Sequence, residues 1–302
     1  MKQQTIGHSF ELVGKGLHTG DVITAVFCPA DVNTGIRIQR SDLSNQPTYE
    51  ALASYVTQTT RGTVLECGEW RVSTIEHAMS ALYAMGITNC LITLNGAEMP
   101  ILDGSAMPFV EQIQQAGIVS QPAAAKEWVV TEPLTFDNGQ GSTMHILPSD
   151  RYEVQVKVDY PLPIVGIQEA HIIDLASYPQ EIAAARTFCF LREIKPLLQL
   201  GLIRGGDLAN ALVIYDKHIC QWTMNRMTRR LRQPHVDASQ LGYLSPLKYE
   251  NEPARHKLLD VIGDLALVGA RIRGRIVVVR PGHGFNTSCA KQIKEQINQM
   301  PQ

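Results

Sequence analysis

Apolar positions along the chain follow two periods. Alternating or continuous apolar runs predict strands at "DVITAVFCPA", "GIRIQRSDL" and "NCLITLNG" in the first part. The second part repeats this at "EWVVTEPLTF", "STMHILPS", "YEVQVKVDY" and "GRIVVVRPG". Helical spacing marks "TIEHAMSALYAMG", "PFVEQIQQAG", "YPQEIAAARTF", "LREIKPLLQLG" and "ARHKLLDVIGDLALVG". Two segments share one order of helix, glycine and strand, namely "TIEHAMSALYAMGITNCLITLNG" and "ARHKLLDVIGDLALVGARIRGRIVVVR". The pattern fits either a duplicated α+β unit or a common unit met twice. Periodicity lapses in "GIVSQPAAAKEWVVTEPL", so residues 120–127 are expected to link a domain over 1–121 to one over 128–302.

The helix at 254–269 departs from an ordinary apolar helix. His256, Asp260 and Asp264 recur every four positions among Leu258, Leu259, Val261, Ile262 and Leu265, with Lys257 alongside. Buried charge is costly unless paired or metal-bound. A rise of 1.5 Å per residue puts His256 and Asp260 about 6 Å apart on one face, a gap that a metal can bridge. Asp264 lies about 12 Å from His256 along the axis, too far for the same ion. H-x-x-x-D alone is a weak signal, so a metal site needs a third group. In "STIEHAMSALYAMG" the adjacent Glu76 and His77 open an apolar helix, with Ser73 or Thr74 placed to cap it. They read either as a first-turn acid and a satisfied polar residue, or as a general base and a ligand. In "RPGHGFNT", His283 sits between glycines after an apolar run, as a surface histidine or as an acid facing the metal. The zinc-protease pattern H-E-x-x-H is absent, and "GKGLHTG" lacks P-loop spacing.

Bulk properties narrow the classes. A formal net charge of −2 over 302 residues gives no general pull toward nucleic acid. No apolar run is long enough to cross a bilayer, and "MKQQTIGHSFELVGKG" lacks a secretory core, so the expected compartment is the cytoplasm. Six dispersed cysteines without C-x-x-C spacing predict free thiols. The segment 217–250 carries Arg226, Arg229, Arg230 and Arg232. It reads as an anion patch or as a solvated insertion; without regular aromatic interleaving the second is favoured, and no nucleic-acid partner is expected.

Five motifs in register resemble one family, the UDP-3-O-acyl-N-acetylglucosamine deacetylases, zinc amidases of lipid A synthesis. They are "GKGLHTG", "STIEHAMSAL", "EMPILDGSAMPFV", "ARTFCFLREI" and "RHKLLDVIGDLALVG". The resemblance implies an α+β fold of two similar sandwich domains packed face to face, with zinc at their junction. It implies His77, His256 and Asp260 as zinc ligands, Glu76 as general base, and His283 as charged partner or acid oriented by Asp264. Thr187 corresponds to the hydroxyl that steadies the oxyanion. Lys257 corresponds to a lysine that aids catalysis and substrate binding. Leu17, His18, Phe188, Phe190 and Leu208 fall where the family holds substrate, and residues 188–215 where it builds an acyl-chain passage. The implied reaction removes acetate from the 2-acetamido group of an acylated UDP-sugar, the committed step of lipid A synthesis, in a monomeric enzyme.

Three departures stand out: the long basic segment 217–250, the altered neighbours of His283 in "PGHGFNT", and Asp207 in "GGDLANAL". Two other readings keep the fold. One is a non-catalytic protein that binds an acylated nucleotide sugar or nucleic acid; the other is a deacetylase of a different N-acetylated sugar.

Overall fold

The computed structural model describes residues 1–199, 203–230 and 235–299. Two sheets form its frame, one of five strands and one of six, and they share a five-strand topology. In the first half the spatial order is Phe10–Lys15, Val22–Pro29, Cys90–Leu94, Ile36–Arg40, Thr48–Glu50. In the second it is Leu134–Asp137, Thr143–Leu147, Arg271–Val279, Tyr152–Asp159, Ile167–Ile172. Each sheet reads antiparallel, antiparallel, parallel, antiparallel across its neighbours. The central strand comes last in both, and a helix precedes and follows it. These helices are α1 (Glu76–Ala84) and α2 (Met107–Ala116) in the first half. After the short α3 (Tyr178–Glu181), α4 (Leu191–Gln199) and α5 (Gln221–Arg230), the second half supplies α6 (Glu252–Ala266) and α7 (His283–Gln299). The expected echo is therefore a repeated fold, in two similar α+β layers.

Strand patterning explains which sheet face is covered. Tyr152–Asp159 alternates buried and half-buried residues throughout, as a strand with one covered face should. Helices α1 and α6 lie between the halves. All nine residues of α1 are buried, and so are most of those in α6, including its titratable ones. One continuous apolar cluster runs from Ile23, Phe27 and Ile92 through both helices to Val154, Val156 and Ile276.

The segment expected to link two domains is instead built into sheets. Ile118–Ala124 pairs antiparallel with Lys2–Ile6, and Glu127–Val129 runs parallel to Arg271–Val279. Its weak periodicity reflects exposure on one side, and Pro122 is accommodated in a two-stranded edge pair. Each half also carries a small three-stranded sheet: Val56–Gln58 with Val64–Cys67 and Trp70–Ser73, and Phe188–Phe190 with Leu212–Tyr215 and Gly242–Tyr243. The segment 217–250 thus contributes α5 and a strand, while residues 231–234, including Arg232, lie outside the described residues, as do residues 200–202 of the passage region.

Where α1 and α6 cross, Gly263 meets the start of α1. A Cβ at Gly263 would fall 2.1 Å from the Glu76 carbonyl oxygen, inside any tolerable contact. Gly263→Ala should therefore push the helices apart and destabilise the protein by about 1–3 kcal/mol, a typical overpacking cost. Urea unfolding of the two proteins checks this; an unchanged midpoint would mean that the crossing yields without cost.

Candidate metal centre

Three side chains that could hold a metal ion converge where the two buried helices face each other. One ligand atom each from His77, His256 and Asp260 lie within 4.8 Å of one another, and all three side chains are buried. The imidazoles of His77 and His256 meet edge to face, ring centroids 5.2 Å apart. His256 Nδ1 lies 3.1 Å from the Ala185 carbonyl oxygen. A carbonyl only accepts, so Nδ1 bears the proton and Nε2 keeps its lone pair, 3.4 Å from Asp260 Oδ1. Asp260 Oδ1 is buried without a hydrogen-bond partner, whereas Oδ2 accepts from Lys257 Nζ at 2.7 Å. A bare carboxylate oxygen beside bare imidazole nitrogens is the environment that a divalent cation neutralises.

Burial drives the His77 pKa down to about 3, helped by neighbouring His256, so the imidazole is neutral and available to a metal. Burial also lowers His256. Asp260 behaves oppositely: burial works to raise its pKa, but His256, Lys257, His283 and His77 together hold it well below the usual carboxylate range.

A second set of groups adjoins the first. Burial pushes the Glu76 carboxyl up to about 7, against the pull of His283. Its Oε2 accepts from the Thr63 backbone N–H at 3.0 Å, and its Oε1 lies 3.8 Å from His283 Nε2. His283 rises to about 9, because Asp264, Asp260 and Glu76 outweigh the burial that would lower it. Asp264 is fully buried and triply bonded: by His283 Nδ1 at 3.0 Å, Thr63 Oγ1 at 2.6 Å and Asn286 Nδ2 at 2.9 Å. It does not reach the three-ligand cluster and serves His283, as its distance along the helix requires.

These groups face a cavity of about 190 Å³, whose wall includes Leu17, Arg61, Glu76, His77, Thr187, Phe188, His256, Lys257, Asp260 and His283. A smaller apolar cavity of about 70 Å³ adjoins it and shares Leu17, Arg61, Thr187 and Phe188 with it. His18, Asp207 and Leu208 line this second space, with Ile194, Leu197, Ile203 and Val213. Phe190, expected there as well, is absent from both walls. It packs with Val165 and Ile214, while its neighbour Cys189 faces the apolar cavity.

Several supports carried no sequence signal that singled them out. Thr63 joins the Glu76 and Asp264 networks from a loop beside Gly62. Asn286 could have been found, since it lies three residues after His283 on α7, on the same face. Neither Ser73 nor Thr74 caps α1; Thr74 Oγ1 donates to Glu98, which is fully buried. Glu98 also accepts from the His18 and Thr19 backbone N–H groups and so fixes the "GKGLHTG" turn. A Cβ at Gly16 would meet Glu98 Oε2, so a side chain there would displace this carboxylate. Arg186 and Glu252 form a buried pair, with Arg186 Nε 2.8 Å from Glu252 Oε1. This pair fastens the segment bearing Ala185 and Thr187, just before the strand Phe188–Phe190, to the first turn of α6.

The Glu252 carboxyl lies below its usual range: burial would raise it, but hydrogen bonds from Arg186 and from the Lys248 and Arg186 backbone outweigh that. A lowered folded pKa stabilises the protein above the unfolded value of about 4.3, and that contribution is lost as the pH falls through the folded value. Glu252→Ala leaves Arg186 buried and unpaired, so it should cost about 3–5 kcal/mol at neutral pH. Urea midpoints at pH 7 and below pH 4 test this: the gap between wild type and variant should narrow in acid, and a constant gap would refute the ionic contribution.

A profile of the family described as UDP-3-O-acyl N-acetylglycosamine deacetylase matches residues 3–231 and 235–295. The bifunctional enzyme LpxC/FabZ of Bacteroides thetaiotaomicron is 49% identical over 300 residues, which are 98% of this chain and 65% of that protein. The protein of the same name from Porphyromonas gingivalis is 46% identical, over 99% of this chain and 65% of its own length. A UDP-3-O-acyl-N-acetylglucosamine deacetylase of Geobacter is 38% identical over 294 residues, covering 96% of this chain and 88% of that protein. The chain thus spans just under two thirds of the bifunctional relatives and most of the length of the other. Among the described residues, no helix is long and apolar enough to cross a membrane.

Proposed function

The chain belongs to the UDP-3-O-acyl N-acetylglycosamine deacetylase family, and on that premise we propose that it hydrolyses the 2-acetamido group of a UDP-3-O-acyl-N-acetylglucosamine, releasing acetate in lipid A synthesis. The observation that carries this reading is the convergence of His77, His256 and Asp260 beside Glu76 and a protonated His283 at the head of an apolar cavity.

His77, His256 and Asp260 would hold the metal, and we assign it as zinc, because two imidazoles and a carboxylate with open space beside them suit a hydrolytic zinc site. When bound, zinc supplies Lewis acidity and lowers the pKa of water toward 7. Glu76, with its pKa near 7, is poised to take a proton from the attacking water at neutral pH. His283 stays protonated there, and its Nδ1–H is committed to Asp264. Its Nε2–H faces the cavity, placed to steady the developing oxyanion and then to protonate the departing amine as the C–N bond breaks. Thr187, in the same wall, offers a hydroxyl to the oxyanion. Lys257 keeps Asp260 ionised and lies 5.5 Å from the centre of the Phe188 ring, at the entrance to the apolar space.

The apolar cavity lined by Leu17, His18, Phe188 and Leu208 suits the start of a 3-O-acyl chain, with Asp207 in its wall bearing on chain preference. All these groups come from one chain, which supports a monomeric enzyme, and a UDP-sugar substrate favours the cytoplasm. The intact base and acid weigh against a non-catalytic binding protein, and the apolar cavity against a sugar without an acyl chain.

Acetate release from UDP-3-O-acyl-N-acetylglucosamine should vanish on chelation and return with zinc. Glu76→Ala should lower kcat by about 10²–10⁴-fold while bound zinc, measured by atomic absorption, stays unchanged. Full turnover by this variant would remove Glu76 as the base; no acetate from folded, zinc-loaded wild type would overturn the reaction itself.

A further inference from the structure

Helix α5 belongs to no part of the reaction, yet its outward stripe is unusual. Trp222, Arg226 and Arg229 lie at spacings of four and three, all exposed, so they share one face of the helix. Trp222 is 69% exposed, the most exposed large hydrophobic side chain among the described residues, and the Arg226 guanidinium carbon lies 5.6 Å from its ring centre. The opposite face is anchored: Met224 is fully buried with Leu191, Ile194, Leu208 and Val213. Ile194, Leu208 and Val213 also line the apolar cavity, so α5 roofs its outer wall. Between residues 217 and 236 the sequence has no Asp or Glu, although the whole chain is slightly acidic.

We propose that the Trp222–Arg226–Arg229 face of α5 docks on an anionic phospholipid surface, bringing the apolar cavity up to the lipid layer. An indole flanked by cations suits the boundary between headgroups and acyl chains, and an acid-free stretch complements lipid phosphates. A polynucleotide is disfavoured because this face offers a single aromatic where strand binding uses a series. The choice of a lipid occupant rests on the acyl-chain reading of the cavity; the charge and the exposed indole are independent of it.

Trp70 and Trp128 are buried, so a change in intrinsic fluorescence on docking reports Trp222. The full chain should co-sediment with vesicles of phosphatidylcholine and phosphatidylglycerol, with a blue shift, and far less with phosphatidylcholine alone or in high salt. Arg226→Ala and Arg229→Ala should each weaken binding about fivefold, and Trp222→Ala should abolish the shift. The triple variant should retain wild-type turnover of a short-acyl, water-soluble substrate, which separates docking from catalysis. If deacetylation fails while vesicles still bind through these residues, the docking stands and the reaction does not. No vesicle binding, binding indifferent to these substitutions, or an effect of them on polynucleotide binding alone would overturn the proposal.

Discussion

The contact on which the site depends is the close crossing of α1 and α6, made possible by the missing side chain at Gly263. The helix bearing His256 and Asp260 can then lie directly against the backbone of Glu76, the residue before His77. His77 and the His256–Asp260 pair, almost two hundred residues apart in sequence, meet because two buried helices pack closely against each other. Any side chain at Gly263 would separate the donors before it disturbed either sheet. The rest of the fold holds this crossing in place: one apolar cluster joins both helices to the sheets, and the Arg186–Glu252 pair ties the segment before the strand Phe188–Phe190 to the first turn of α6.

Concentrating Glu76, Asp260, Asp264, Lys257 and His283 in a buried pocket would be prohibitive if each charge stood alone. Each has a distinct compensation instead. Asp264 is saturated by three donors, one of them His283. Asp260 gives one oxygen to Lys257 and keeps the other bare. Glu76 is the least compensated carboxylate, with one backbone N–H at 3.0 Å and His283 at 3.8 Å, and accordingly it is the one whose pKa rises toward neutrality. The same desolvation that makes His77 neutral therefore brings the Glu76 carboxyl to titrate near neutral pH, while the anions around His283 keep its imidazole protonated. Two opposite protonation states stand side by side because their nearest partners differ.

Much of this was legible in the chain. The titratable row on an apolar helix pointed to buried charge at His256, Asp260 and Asp264, and the repeated helix–glycine–strand order anticipated the duplicated topology. What stayed hidden was tertiary. Thr63 sits in a loop with no periodicity, and nothing local shows that its hydroxyl and N–H serve two different carboxylates. Glu98 and Glu252 read as ordinary acids until the fold buries them against backbone N–H groups and Arg186. The lapse of periodicity over residues 120–127 suggested a linker, because a two-stranded edge pair that is largely exposed carries no apolar alternation. Phe188 and Phe190 look alike in the sequence, but Phe188 lines the cavity while Phe190 is buried with Val165 and Ile214.

The duplication also explains an asymmetry in the site. The two helices hold equivalent places in the repeat, each leading into the central strand of its sheet. Their contributions nevertheless differ: α1 offers adjacent Glu76 and His77 at its very start, whereas α6 spreads His256, Asp260 and Asp264 over more than two turns. Adjacent residues on a helix point about 100° apart, so Glu76 and His77 address different neighbours, one the His283 side and one the ligand cluster. Residues four apart share a face, which lets α6 line the same cleft along its length. The small sheets inserted into each half then act on what this core leaves open: the first supplies the loop of Arg61 and Thr63, and the second walls the apolar cavity. The repeated scaffold thus fixes the reacting groups, while the unrepeated insertions decide what can reach them.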